Sequence, residues 1–77
     1  MGGIVEIDLH GKNTYQARVT VDAALRRAAG STYRLRLVHG YHGGTAIRDM
    51  IREEYASRVL RIATINEGTT DLIIREF

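Results

Sequence analysis

The sequence predicts an α+β domain of two layers: a mixed four-stranded sheet with two helices on one face. Three observations predict it. Four segments, Ile4–Leu9, Tyr33–Val38, Val59–Ile65 and Thr70–Phe77, read as strands. Two segments of helical spacing separate the first three of them, so those three should run parallel through right-handed crossovers. Only the short turn NEGT separates the last two, which should therefore form an antiparallel hairpin. The order is β-α-β-α-β-β, and 77 residues leave room for one core, so residues 1–77 form a single domain.

Each element has its own warrant. In the first strand Val5, Ile7 and Leu9 alternate with Ile4, Glu6 and Asp8, and His10-Gly11 ends it. The first helix carries Ala17, Val21, Ala24, Leu25 and Ala28 on one side and Arg18, Asp22 and Arg26 on the other; Asn13 or Thr14 caps its start and Gly30 closes its end. The second strand sets Tyr33, Leu35 and Leu37 against Arg34, Arg36 and Val38. Thr45 caps the second helix, whose apolar stripe is Ile47, Met50, Ile51 and Tyr55. With both helices on one side, the open face carries Glu6, Arg34, Arg36, Arg61, Asp71 and Arg75. It reads as an ordinary solvated face with cross-strand ion pairs.

Composition narrows the function classes. Hydrophobic residues at 44% and charged residues at 26% describe a globular chain, and the absence of cysteine excludes disulfides and thiolate metal sites. The amino end, MGGIVEID, lacks a basic region followed by a long apolar run, and no stretch reaches membrane-spanning length. A cytoplasmic protein without a membrane partner is expected. Net charge is only +2, but ten of the eleven basic residues are arginine, a mild pointer to an anionic partner.

The two strand-to-helix loops carry the candidate chemistry. Asp8–Gly11 (DLHG) and His39–Gly44 (HGYHGG) both leave the carboxyl ends of parallel strands, the edge of an open α/β sheet where ligands bind. The second helix points its amino end there, and Gly40, Gly43 and Gly44 let the backbone approach an anion. Asp8, His10, His39 and His42 would surround such a position. Phosphodiester cleavage requires a base for the attacking oxygen, a donor for the leaving oxygen and positive charge on the others; histidines paired with a carboxylate, with Lys12 or Arg48, offer those parts. The spacing of the three histidines and Asp8 matches no closed zinc pattern, so no cofactor is firmly implied and a divalent metal is left open.

These residues resemble a known family. IDLHG at 7–11, the helix after it, LRLVHG at 35–40, a glycine-rich turn, a helix and a hairpin are similar to the small MutS-related, or Smr, domain, over nearly the whole chain. The resemblance implies a fold like the carboxyl-terminal domain of translation initiation factor three. It also implies nucleic-acid binding, with nicking endonuclease activity on DNA or RNA. Asp8, His10 and Gly11 fill the first motif, and His39, Gly40 and Gly44 the HGxGxG-type second. Gly11, Lys12, Gly40, His42, Gly43, Gly44, Thr45 and Arg48 are then the phosphate-binding residues, and Asp8, His10 and His39 the catalytic ones. The chain departs from the pattern at His42, where the family has glycine; a ring there either blocks a sugar-phosphate backbone or adds a donor to it.

Two other functions fit the same sequence. One is a non-catalytic nucleic-acid-binding module that uses the same loops, with or without the arginine face of the sheet. The other is a protein-interaction or self-associating domain that uses the open sheet face.

Overall fold

The computed structural model describes residues 3–28, 30–41 and 44–76. Their elements are β1 (Ile4–Asp8), α1 (Thr14–Arg27), β2 (Arg34–Val38), α2 (Ala46–Tyr55), β3 (Arg61–Asn66) and β4 (Thr69–Ile73). This is the predicted order. The sheet runs β1-β2-β4-β3. β1 is parallel to β2, and β4 is antiparallel to both β2 and β3, so the first three strands share one direction. The hairpin forms as expected, but its second strand is inserted between β2 and β3.

Sequence alternation sets the two faces. Leu35 pairs across Val5 and Leu72, and Leu37 across Ile7 and Thr70, and Leu35, Leu37, Leu72 and Leu9 join one core with Ala17 and Val21 of α1 and Met50, Ile51 and Tyr55 of α2. A single core containing both helices and one sheet face is the two-layer arrangement. The helices are tied together at Tyr55, which is fully buried; its hydroxyl donates to Asp22 Oδ1 at 2.7 Å and to the Arg18 carbonyl at 3.2 Å. The Asp22 carboxyl is held below its usual range, chiefly by that bond, and burial raises the Tyr55 phenol well above its usual value.

The open face is less solvated than its composition suggests. Asp71, in the central strand, is fully buried beneath two arginines. Arg34 Nη1 donates to Oδ2 at 2.9 Å, while Arg36 reaches both oxygens, Nε to Oδ1 at 3.0 Å and Nη2 to Oδ2 at 2.9 Å. Arg36 is Asp71's direct cross-strand partner and Arg34 lies two pairs along, on the same face, so the register itself builds this clamp. Arg61 pairs with Glu76 and Arg75 with the Gly30 carbonyl, so the arginines of this face are engaged locally.

Element ends differ from expectation: β1 stops one residue earlier, at Asp8, β2 starts one later, at Arg34, and β3 runs from Arg61 to Asn66 rather than from Val59 to Ile65. Asn13 caps α1 in a reciprocal box with Gln16, but the helix closes at Ala28, whose N–H reaches the Leu25 carbonyl, rather than at Gly30. Thr45 makes no side-chain cap on α2; its hydroxyl donates to Asp49 Oδ2 at 3.0 Å instead. β4 stops at Ile73 because its ladder partner runs out: β2 starts at Arg34, and Ile74 N–H turns to the Tyr33 carbonyl. Phe77, expected to end that strand, lies outside the described residues.

Candidate functional site

The β1–α1 and β2–α2 loops enclose a cleft of about 730 Å³ at the carboxyl edge of the parallel strands. One wall is His10 to Thr14; the other is His39 to Tyr41 with Gly44, Ala46 and Ile47.

The first wall follows from a tight turn. Leu9 is fully buried and its N–H continues the ladder to the Val38 carbonyl at 2.7 Å. The chain then reverses, Lys12 N–H reaching the Leu9 carbonyl at 3.1 Å, with Gly11 at φ +79°. A left-handed residue is needed there, and only glycine takes that conformation without steric cost. The turn brings His10 back over Asp8. Asp8 Oδ1 accepts from the His10 backbone N–H at 3.1 Å and lies 2.7 Å from ring Nδ1. These two bonds from His10, with help from the charge of Lys12, hold the Asp8 carboxyl below its usual range. An ionised carboxylate only accepts, so Nδ1 carries the hydrogen and Nε2 of the neutral ring is the available lone pair. The side chains are 73% and 63% exposed, so this hydrogen bond adds little to stability.

The second wall is anchored from below. The Gly68 carbonyl, in the β3–β4 turn, accepts from both His39 N–H (2.9 Å) and Gly40 N–H (3.0 Å). Gly40, at φ +74°, then turns the chain across the hairpin. His39 is buried, its Nδ1 2.8 Å from the Gly40 carbonyl and its Nε2 2.9 Å from Thr70 Oγ1. A carbonyl only accepts, so Nδ1 carries a hydrogen; in that neutral tautomer Nε2 accepts from the Thr70 hydroxyl. Both ring nitrogens are occupied, which leaves His39 none to exchange a proton with a ligand. It supports the loop instead.

Between the walls lies the amino end of α2. The first intrahelical bond is Asp49 N–H to the Thr45 carbonyl at 2.8 Å, and Thr45 gives its hydroxyl to Asp49. The N–H groups of a helix's first turn have no partner within the helix, and Ala46 and Ile47 stand on the cleft wall.

The structure therefore brings His10, Gly11, Lys12, His39, Gly40 and Gly44 to one cleft, with Asp8 behind His10. It does not bring Thr45 or Arg48 onto the wall; Arg48 Nε lies 3.7 Å from Asp49 Oδ1. His42 and Gly43 lie outside the described residues. Among the described residues no group of three histidines and carboxylates is placed to hold a metal ion. Among the described residues no helix is long and apolar enough to cross a membrane. Sequence reasoning missed Thr70 and Gly68, whose only signal was their place in the hairpin, and Tyr41, an aromatic ring among glycines.

No family model and no curated protein matches the chain. Among solved structures, the Smr domain of Thermus thermophilus MutS2 matches with a TM-score of 0.82 and 35% sequence identity, over 94% of this chain and 99% of that one. At that identity and coverage, with the DLHG and HG loops framing one cleft, the chain belongs to the Smr domain family.

Proposed function

We propose that the cleft binds the sugar-phosphate backbone of DNA or RNA, and that Asp8 and His10 form the proton-exchanging pair of a phosphodiester-cleaving site. The observation that carries this reading is the 2.7 Å contact between Asp8 Oδ1 and His10 Nδ1, which leaves Nε2 as the free base beside an uncapped helix amino end. A non-bridging phosphate oxygen at the first turn of α2 meets aligned N–H groups and the positive end of the helix dipole. Lys12, on the opposite wall, adds a full charge.

His10 Nε2 then takes the proton of the attacking oxygen, that of water or, in RNA, of the adjacent 2′-hydroxyl, as that oxygen bonds to phosphorus. The bond to the leaving oxygen breaks, and water returns a proton to it. Asp8 holds the ring in the required tautomer and stabilises the imidazolium that forms. His39 acts as a positioning residue: with both nitrogens bonded, it fixes Gly40 and Tyr41 rather than exchanging protons. Arg48, turned to Asp49 and off the cleft wall, is not assigned a phosphate contact.

The test is cleavage of labelled RNA and branched DNA by the wild type and by an Asp8→Ala, His10→Ala double variant. Loss of cleavage in the double variant with retained binding is expected. Equal background rates refute the catalytic part. Binding should weaken steeply with salt, and Lys12→Ala should lower the slope of log K against log salt by about one. Salt-insensitive or undetectable association refutes the binding part.

A further inference from the structure

The cleft is larger than its anion seat requires. A phosphate group occupies a small part of about 730 Å³, a volume within the range of about 300–1,000 Å³ that encloses whole small molecules. Its polar groups, His10, Lys12 and the first turn of α2, account for the phosphate. Tyr41 and Ile47, on the other wall, are apolar surface that a phosphate does not use.

Tyr41 is held like a platform. The N–H groups of the two residues before it share the Gly68 carbonyl, and its own carbonyl accepts from Gly44 N–H at 3.2 Å. Its ring rests on the hairpin turn: a Cβ at Gly68 would stand 3.4 Å from Tyr41 Cδ1 and 3.3 Å from Gly40 Cα. The turn backs one part of the ring, yet half of the residue is exposed. A large aromatic side chain half exposed on a cleft wall is costly to leave in water and inexpensive to cover.

We propose that Tyr41 stacks on a nucleobase whose phosphate sits at the amino end of α2, so that the site takes a nucleotide with an unpaired base. The proposal rests on the nucleic-acid reading above. Stacking recognises the π-face that every base has, so it selects against pairing rather than for a sequence. A base inside a duplex has both faces covered by its neighbours and reaches Tyr41 only after leaving the stack. Single-stranded segments, strand ends and extruded bases share the required chemistry.

The experiment measures binding of fluorescein-labelled hexathymidylate and of an abasic hexamer with the same phosphates, by anisotropy, to the wild type, Tyr41→Ala and Tyr41→Phe. The wild type should bind hexathymidylate about 5- to 150-fold more tightly than the abasic strand, the range that stacking of one base supplies. Tyr41→Ala should lose that preference and keep its abasic affinity, while Tyr41→Phe should retain it. A covalently closed duplex whose loops are abasic linkers should compete poorly with hexathymidylate. Equal wild-type binding of the two strands, or equal loss for both in Tyr41→Ala, overturns the stacking and leaves backbone binding standing. No binding of either strand at low salt overturns both.

Discussion

Replacing Thr70 by Val tests the support of the cleft from beneath. The substitution keeps the β-branched shape in the central strand and removes one hydroxyl, the donor 2.9 Å from His39 Nε2. Thr70 is fully buried and His39 is 7% exposed, so water does not readily replace the lost partner. A buried acceptor left without a hydrogen bond costs about 1–3 kcal/mol. For a 77-residue domain each kcal/mol moves Tm by about 4–8 °C, so a cost of about 2 kcal/mol lowers Tm by roughly 8–16 °C. Thermal unfolding followed by circular dichroism measures this, with Thr70→Ser, which keeps the hydroxyl, as the control that should lose less. Long-range proton–nitrogen spectra of the histidine rings supply the second readout: His39 should show its hydrogen on Nδ1. A Tm for Thr70→Val within about 2 °C of the wild type would refute the support role, because even the lower bound of the desolvation cost exceeds that. A hydrogen on Nε2 and none on Nδ1 would refute the assignment of donors.

Three further outcomes follow from other contacts. Tyr55→Phe should cost about 1.5–3 kcal/mol, the value of a hydrogen bond to a charged acceptor, measured by urea unfolding near neutral pH. The same bond predicts the pH dependence at both ends. Tyr55's folded pKa lies above its unfolded value of 10.0, so its stabilisation is complete below pH 10 and falls as pH rises beyond; Asp22's lies below 3.8, so its stabilisation is present above that and is lost as pH falls through the folded pKa, and Tyr55→Phe should flatten both limbs. Gly11→Ala meets no atom within 4 Å, so its cost should be backbone strain alone, about 1–2 kcal/mol, accompanied by loss of the Asp8–His10 bond in spectra of the ring nitrogens.

The fold was legible where local rules govern it. Alternation at Ile4–Asp8 and Arg34–Val38, the Asn13 cap and the stripe from Met50 to Tyr55 each follow from a single element's own period or terminus. Strand order is not a local property. β4 carries Thr69, Thr70 and Asp71, polar residues that suit an edge, yet it occupies the middle, because Asp71 finds Arg36 and Arg34 at separations of 35 and 37 residues. The DLHG and HG loops were placed at one edge by topology alone, and that placement held. What remained hidden was the surroundings of each ring. His10 and His39 look alike in sequence, each followed by glycine, but one stands in solvent over a carboxylate and the other is enclosed by Gly40 and Thr70. Thr45 sits where a cap belongs; Asp49, one turn on, draws its hydroxyl away.

The insertion of β4 has a consequence for how the chain acquires its shape. β3 makes no ladder with β2, and only β4, the last element, bonds to both. During synthesis β1, α1, β2, α2 and β3 all emerge before β4, and until then no ladder joins β3 to the β1–β2 pair. The residue that braces His39 and the carboxylate that gathers Arg34 and Arg36 arrive together, on one five-residue strand. Folding should therefore be a single late step rather than a gradual one, since contacts of such long range must wait for their distant partner. A ribosome-tethered chain halted before Thr69 should remain sensitive to protease throughout, and become resistant once β4 has cleared the exit tunnel.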